Sequence, residues 1–195
     1  MYLKYVDERV KGMIRRLGIK NGPVFMQGFV DGNTVRMYDP GIRFPGNEYE
    51  RITKAATGVD LMKSIISYVV GGEIEDFGGK IEGCYDLDGK CAIQYMINVG
   101  PGKIARFDGL EEISKHPNVL DVQQRHFVGD EIEPTGDIKH RAGEISVLVE
   151  RNPEKMSEMI RFIQSKLVIT DSYGNNQIIS PIGADFVKTT YSRNA

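Results

Sequence analysis

The sequence predicts an α+β protein, in which an antiparallel sheet with flanking helices is followed by a smaller antiparallel β-rich subdomain with one or two helices. Two observations favour this class. Short β-branched and aromatic runs are separated by turn residues such as Asp31-Gly32-Asn33, which is typical of hairpins. Apolar residues also recur at helical spacing at both ends of the chain, over residues 3–17 and 153–166.

A helix and a hairpin are predicted to come first in the chain. The helix over residues 3–17 ends at Gly18. Val24–Val30 and Thr34–Tyr38 then form two antiparallel strands, because Asp-Gly-Asn between them tolerates the positive φ angles of a tight turn.

Two further helices should follow the hairpin. Asn47 is a suitable N-cap for the first, which should run through Ala56 and stop near Gly58. Asp60 caps the second helix. We expect the apolar residues of this second helix to pack in the core; they are Leu61, Met62, Ile65, Ile66, Tyr68 and Val69.

We divide the chain into a first region, 1–72, a loop-rich connector, 73–90, and a β-rich subdomain, 91–195. The elements predicted in the subdomain are strands Cys91–Val99, Lys103–Phe107, Val119–Phe127 and Glu144–Glu150 and helices Leu110–Lys115 and Pro153–Lys166. Asn152 suits the N-cap of the last helix, and Pro153 suits its first position. The buried stripe of this helix should consist of Met156, Met159, Ile160 and Ile163.

Three polar residues on the hairpin and its exit are candidates for ligand binding: Gln27, Asp39 and Arg43. An odd loop centred on Gly32 would place Gln27 opposite Met37 with Asp39 on the same face, whereas an even loop would separate them. Together they would suit Mg²⁺ and phosphate, because Mg²⁺ prefers oxygen ligands and the arginine fork matches phosphoryl oxygens. The alternative is an ordinary polar residue, a turn former and a surface charge.

The order of residues in this stretch is Gln27, then Asp39-Pro-Gly-Ile-Arg43, then Lys54-Ala-Ala-Thr-Gly58-Val-Asp60-Leu. It resembles the C-terminal half of an ATP-grasp domain, where a strand pair carries Gln or Glu and a Glu-x-Asn-x-Arg motif before a helix that ends in Thr-Gly. Gln at the first position is similar to carbamoyl phosphate synthetase large chains. The resemblance implies that Gln27 and Asp39 are metal ligands and that Arg43 contacts phosphate or substrate. Asp39 stands where Glu is usual, and Gly41 stands where a metal-binding Asn is usual.

The second region carries Gly102-Lys-Ile-Ala-Arg-Phe, a Gly-Leu-Glu-Glu helix, a Gly-Asp turn and Arg141-Ala-Gly before a strand. This pattern resembles the sheet subdomain that follows the ATP-grasp core in biotin carboxylases and in ATP-grasp amino-acid ligases. Where biotin carboxylases carry a catalytic Glu and Arg, this sequence has Gln94 and Met96. The resemblance therefore favours a carboxylate–amine ligase over a carboxylase, and the simplest alternative for Gln94 is an exposed strand residue.

The resemblance implies an enzyme that uses Mg-ATP to phosphorylate a carboxylate, after which an amine displaces phosphate to form an amide. The lysines, glycine-rich loop and adenine-contacting hinge that bind ATP in that family precede the first helix and are not in this chain. We therefore expect a C-terminal fragment that is inactive by itself, with the N-terminal half in a longer chain or in another polypeptide. A non-catalytic binding or assembly module, which Gly41 favours, is the alternative, and a purine-pathway or carbamoyl phosphate activity also stays within the superfamily.

Composition narrows the function further. Lys and Arg number 25 against 27 Asp and Glu, and this net charge of −2 gives no support for nucleic-acid binding. No apolar stretch approaches the roughly 20 residues that span a bilayer, and no signal-peptide core is seen, so a cytoplasmic protein is predicted. Cys84 and Cys91 are expected to be reduced thiols. The sequence leaves the oligomeric state open, including a homo-oligomer.

Overall fold

A computed structural model describes residues 5–32, 34–46, 49–71, 87, 89–135 and 138–187. The chain divides into two compact units, Met1–Arg51 with Val59–Gly79 and Ile52–Gly58 with Lys80–Ala195. Helices and antiparallel strand pairs confirm the predicted α+β class. Across the residues described, no helix combines the length and the apolar character that a membrane crossing requires.

The first unit begins with helix α1, Asp7–Arg16, followed by a hairpin of strands β1, Phe25–Asp31, and β2, Thr34–Gly41. The strands pair antiparallel, as predicted. Asp31 pairs directly with Thr34, so the connecting loop has two residues. Gly32 supplies a φ of 55° in this loop, which is the left-handed conformation that short hairpin turns require.

Helices α2, Tyr49–Thr57, and α3, Leu61–Val69, follow the hairpin in the chain. The predicted N-cap of α2, Asn47, lies outside the described residues. The cap of α3 is confirmed, because the Lys63 N–H donates to Asp60 Oδ1 at 2.9 Å.

The predicted burial of the apolar residues of α3 is wrong. None of its residues is buried within the described part of the chain, and Val69 is 74% exposed. The apolar residues of α3 cover a wide arc, which is buried only when a partner element lies against it. The described part of the first unit, one hairpin and short helices, does not cover this arc.

The second unit is built on a three-stranded sheet with the order β3–β8–β6. Its strands are β3, Lys90–Asn98, β6, Val119–Gln124, and β8, Arg141–Glu150. Strand β8 begins three residues before its predicted start at Glu144. Gly143 explains this extension, because a Cβ there would lie 2.5 Å from the Gln123 carbonyl oxygen of β6. Only glycine allows the two strands to approach so closely.

The predicted strand Lys103–Phe107 is divided between two small sheets. Strand β4, Gly102–Lys103, pairs with β7, Glu131–Ile132, and strand β5, Arg106–Asp108, pairs with β9, Val168–Thr170. Between β4 and β5 the chain therefore changes its pairing partner from β7 to β9. Strands β7 and β9 were not predicted, because segments of two or three residues are too short to show alternation.

Besides the part of α2 from Ile52 onward, the described part of the second unit has the helices α4, Leu110–Ser114, and α5, Pro153–Lys166. The bounds predicted for α5 are confirmed. Its N-cap is Asn152, whose side-chain oxygen accepts from the Glu154 and Lys155 N–H groups at 2.8 and 3.4 Å. The predicted stripe of α5 is buried and packs with one face of the sheet. The largest fully buried apolar side chains are those of Ile97, Val99, Ile104, Ile113, Ile145, Val147, Ile160, Ile163 and Ile169.

Candidate functional site

The hairpin register separates two of the three candidate residues. Of the two registers that the sequence leaves open, the structure has the even loop, in which Gln27 pairs with Tyr38 and not with Met37. Asp39 follows Tyr38, so regular alternation would place Gln27 and Asp39 on opposite faces. The pairing also shifts between Phe25 and Gln27, and Asp39 has a φ of 48°. Regular alternation therefore stops at this end of the hairpin, and the ladder by itself does not bring Gln27 beside Asp39.

The structure does bring Asp39 and Arg43 together at the exit of β2. Arg43 Nη2 donates to Asp39 Oδ2 at 3.3 Å, and the two side chains are 50% and 52% exposed. Arg43 Nη1 donates to the Phe44 carbonyl oxygen at 3.2 Å. The exit of the hairpin thus carries a carboxylate and a guanidinium side by side, both open to solvent.

Phe25 is a third member of this cluster, which the sequence pattern did not indicate. The Arg43 Cζ atom lies 4.7 Å from the centroid of the Phe25 ring, within the range of a cation–π contact. Phe25 reaches this position because it pairs across the hairpin with Gly41. Only the register of the hairpin indicates that Phe25 lies beside Arg43, and the sequence leaves that register open.

Gly41 leaves room for the Arg43 side chain because it has no Cβ. A Cβ at position 41 would lie 3.3 Å from both Cγ and Nε of Arg43. The Arg43 side chain therefore packs closely against Gly41 and would have to shift by a few tenths of an ångström if position 41 carried a Cβ. This is the position where the ATP-grasp motif usually carries Asn.

The donor set of this cluster fits a single Mg²⁺ held largely by nucleotide phosphates. Mg²⁺ needs only one or two carboxylates when phosphates and water supply its other ligands. Asp39 Oδ1 makes no hydrogen bond to the described residues, whereas Oδ2 faces Arg43. In the described ranges, no three His, Cys, Asp or Glu side chains are grouped as a metal site. A site built from protein carboxylates alone does not fit these residues.

In the second unit, Gln94 and Met96 lie on strand β3 opposite Ser146 and Glu144 of strand β8. The interpretation of Gln94 as an exposed residue is wrong, because Gln94 is partly buried. Cross-strand pairs point to the same face of a sheet. These four residues, three of them polar, therefore lie on one face of the sheet, on the opposite side from the apolar core.

Cys91 is a free thiol in the described part of the chain, and burial raises its pKa. This is the state expected of a structural thiol, since a buried thiol forms the reactive thiolate less readily. Cys84 lies outside the described residues. The prediction for the two cysteines as a pair therefore stays a prediction.

The fold and the hairpin cluster define a class: an antiparallel hairpin with a polar exit, flanking helices and a β-rich subdomain, as in the C-terminal part of ATP-grasp enzymes. No protein-family model and no curated protein matches the chain. Solved structures do match it.

Three of these solved structures are ATP-grasp ligases. An L-amino acid ligase from Bacillus licheniformis has a TM-score of 0.70 and 26% identity, over 86% of this chain and 40% of that one. A phosphoribosylglycinamide synthetase from Anaerococcus prevotii has a TM-score of 0.72 and 18% identity, over 87% and 42%. A biotin carboxylase from Campylobacter jejuni, solved as a complex with β,γ-ATP, has a TM-score of 0.58 and 16% identity, over 95% and 38%.

These matches confirm the resemblance to the ATP-grasp superfamily. The chain has the fold of part of these enzymes, and it covers 38–42% of their length.

Proposed function

We propose that this chain is the C-terminal part of a Mg-ATP-dependent carboxylate–amine ligase that acts through an acyl phosphate. The Asp39–Arg43 pair carries the proposal, because it places a metal-binding carboxylate beside a phosphate-binding fork at the exit of the hairpin. The 26% identity to an L-amino acid ligase supports it. The Gln at position 27 is carbamoyl phosphate synthetase-like. The partner of this chain is an N-terminal ATP-grasp half, and the complete enzyme works in the cytosol.

In this proposal Arg43 steadies the acyl phosphate. Its contact with Asp39 is 3.3 Å long, longer than a strong charge-assisted hydrogen bond, so the guanidinium can turn to phosphoryl oxygens at little cost. Asp39 holds Mg²⁺. Gln27 is the second ligand by the resemblance to the ATP-grasp motif, since the hairpin ladder does not itself place it beside Asp39. The metal, when bound, offsets the charge of the nucleotide phosphates, and the protein contributes positioning and electrostatic stabilisation. The substrates are a small carboxylate and an amine, both of the amino-acid class named by the neighbouring L-amino acid ligase.

The first experiment is calorimetric titration of Mg-ATP into this chain by itself and into the chain fused behind the N-terminal half of an ATP-grasp ligase. We expect the fusion to bind and the chain alone to bind weakly or not at all. Low-micromolar affinity in the isolated chain would contradict the role assigned to an N-terminal half.

Asp39→Asn in the fusion tests the metal assignment. Asparagine keeps the shape of the side chain but removes the charge, so phosphate release with a carboxylate and an amine should fall at least about tenfold and should need more Mg²⁺. Asp31→Asn is the matched control, because Asp31 is an exposed carboxylate at the far end of the same hairpin. Gln27→Ala tests the second ligand in the same assay. Unchanged Mg²⁺ dependence in the Asp39 variant would remove Asp39 from the metal site.

One observation favours a second candidate, a non-catalytic binding or assembly module derived from the ATP-grasp fold. Arg43 lies in the space beside Gly41 where the superfamily usually has a metal-binding side chain. A module of this kind would be indifferent to Asp39→Asn. If neither the chain nor the fusion binds Mg-ATP, this second function is the better one.

A further inference from the structure

A cavity of about 420 Å³ is lined only by residues of the second unit, and none of them belongs to the hairpin that carries the proposed ATP site. The cavity forms at the end of the sheet where strand β8 runs past the start of β6. The Leu148 N–H donates to the Asn118 carbonyl oxygen at 2.9 Å, directly before β6 begins, whereas β8 continues to Glu150. Helix α5 and the turn after α4 supply the other walls.

Part of the cavity lining is apolar and aromatic. Val149 of β8 and Met159 of α5 are buried, and Phe162, one turn further along α5, is partly buried. The centroid of the Phe162 ring lies 4.7 Å from that of the His116 ring, with 43° between the two planes. Flat heteroaromatic molecules stack favourably on aromatic side chains of this kind. This part of the lining therefore suits a flat ring.

The polar part of the lining has donors and acceptors that are available to a ligand. The Asn118 N–H donates to His116 Nδ1 at 3.2 Å, so the His116 ring is neutral and carries its proton on Nε2. Among the described residues, this Nε2–H donates to no acceptor, and the side chains of Asn118 and Glu150 make no hydrogen bond or ion pair. The cavity thus offers an imidazole N–H, a carboxamide and a carboxylate.

The charge of the lining narrows the kind of ligand. Its charged residues are Glu150, Lys155 and Glu158. Lys155 Nζ lies 3.1 Å from Glu158 Oε2, so these two charges offset each other and Glu150 leaves the cavity with a net charge of −1. A phosphate or carboxylate ligand is therefore repelled. A simple cation would leave the N–H donors of His116 and Asn118 without acceptors. The lining suits an uncharged ring with both N–H donors and acceptor nitrogens.

We infer that this cavity binds an uncharged aminopurine without a phosphate group, either free adenine or adenosine. The purine ring stacks on Phe162, and its exocyclic amine donates to the Glu150 carboxylate. The Asn118 carboxamide pairs with the amine and the adjacent ring nitrogen, the two-bond pattern by which Asn and Gln recognise adenine, and another ring nitrogen accepts from His116 Nε2–H. The volume is within the roughly 300–1,000 Å³ of small-molecule sites. This second site is separate from the proposed ligase function and does not depend on it.

The test is a titration of the isotopically labelled 195-residue chain, followed by amide resonances in two-dimensional NMR. Three probes are compared: adenosine, inosine, which has a carbonyl in place of the exocyclic amine, and AMP, which adds a phosphate. Adenosine should shift the amides of residues 116, 118, 150 and 162 with a dissociation constant of about 1 mM. Inosine should bind at least about fivefold more weakly, because it cannot donate to Glu150 from that position. AMP should also bind more weakly than adenosine, because the negative cavity repels its phosphate.

Two variants assign the contacts. Glu150→Ala should reduce adenosine to the affinity of inosine and leave inosine itself unchanged, since it removes the acceptor of the exocyclic amine. Phe162→Leu should weaken adenosine at least about fivefold, because leucine keeps an apolar side chain but removes the stacking surface. Glu131→Ala is the control, because Glu131 is an exposed carboxylate of the same unit that does not line the cavity. If Phe162→Leu does not give a folded spectrum, the comparison of adenosine with inosine on Glu150→Ala decides.

The inference would be overturned by the absence of saturable shifts with adenosine up to about 15 mM, by equal binding of adenosine and inosine, or by AMP binding as tightly as adenosine. Unchanged adenosine binding in Glu150→Ala would overturn it as well. The titrations contain neither ATP nor Mg²⁺. Their outcome is therefore independent of the Asp39 experiment, and either proposal can fail while the other stands.

Discussion

Replacing Arg43 by alanine separates a structural role of this residue from a role in the reaction. The contact with Asp39 joins two half-exposed side chains, and such pairs contribute about 0.2–1 kcal/mol. The contact with Phe25 lies 4.7 Å from the ring, and exposed cation–π contacts contribute about 0.5–1 kcal/mol. Arg43→Ala should therefore lower the free energy of unfolding by about 1 kcal/mol and by no more than about 2.

The expected effect on turnover is larger. Removing one positioned donor to developing charge typically costs about 10²–10³ in rate, which corresponds to about 3–4 kcal/mol. A loss of this size would exceed the loss of stability. The turnover rate of Arg43→Lys should lie between those of the unaltered protein and Arg43→Ala, because lysine keeps the charge but not the planar fork.

Stability is measured by urea unfolding of the chain, followed by circular dichroism, and turnover by phosphate release in the fusion described above. Arg36→Ala on β2 is the control, since Arg36 is an exposed arginine opposite Phe29; its stability should change by less than about 0.5 kcal/mol. A folded Arg43→Ala fusion that loses less than about threefold in rate would refute the role of Arg43. An equal loss of turnover rate in Arg36→Ala would also refute the role of Arg43.

Two other predictions concern the second unit. Gly143→Ala places a Cβ 2.5 Å from the Gln123 carbonyl oxygen, so it should destabilise the unit by about 1–3 kcal/mol in thermal unfolding. Gly183→Ala in the same unit, whose Cβ would meet only Phe186 Cβ at 3.9 Å, should be nearly neutral in the same assay. The Phe127 N–H donates to Asp130 Oδ2 and holds the pKa of that carboxyl below its usual value. The stabilising contribution of this carboxylate is present in full above the unfolded pKa of about 3.9 and is lost as the pH falls from there through the lower pKa of the folded state. Asp130→Asn should therefore flatten the acid side of the stability curve measured between pH 6 and pH 3, and an unchanged slope would contradict this assignment.

The elements that the sequence predicted best are those whose signals are local. Asn152 and Pro153 mark the start of α5, because a cap side chain and a proline at the first position act on the next turn of the same helix. Asp60 likewise marks the start of α3, because its side chain caps the first turn of that helix. The hairpin also followed from its own residues, since Asp-Gly-Asn between two β-branched runs favours a turn whatever surrounds it.

The sequence by itself determined the α+β class, the hairpin, the helix α5 and the ATP-grasp resemblance around Asp39 and Arg43. Only the tertiary structure decided which residues share a face. Asp-Gly-Asn is compatible with an even or an odd loop, and one residue of difference moves a strand side chain to the other face. The even loop paired Gln27 with Tyr38, and a further register shift between Phe25 and Gln27 paired Phe25 with Gly41. The cavity of the second unit likewise exists only once segments from distant parts of the chain have packed together.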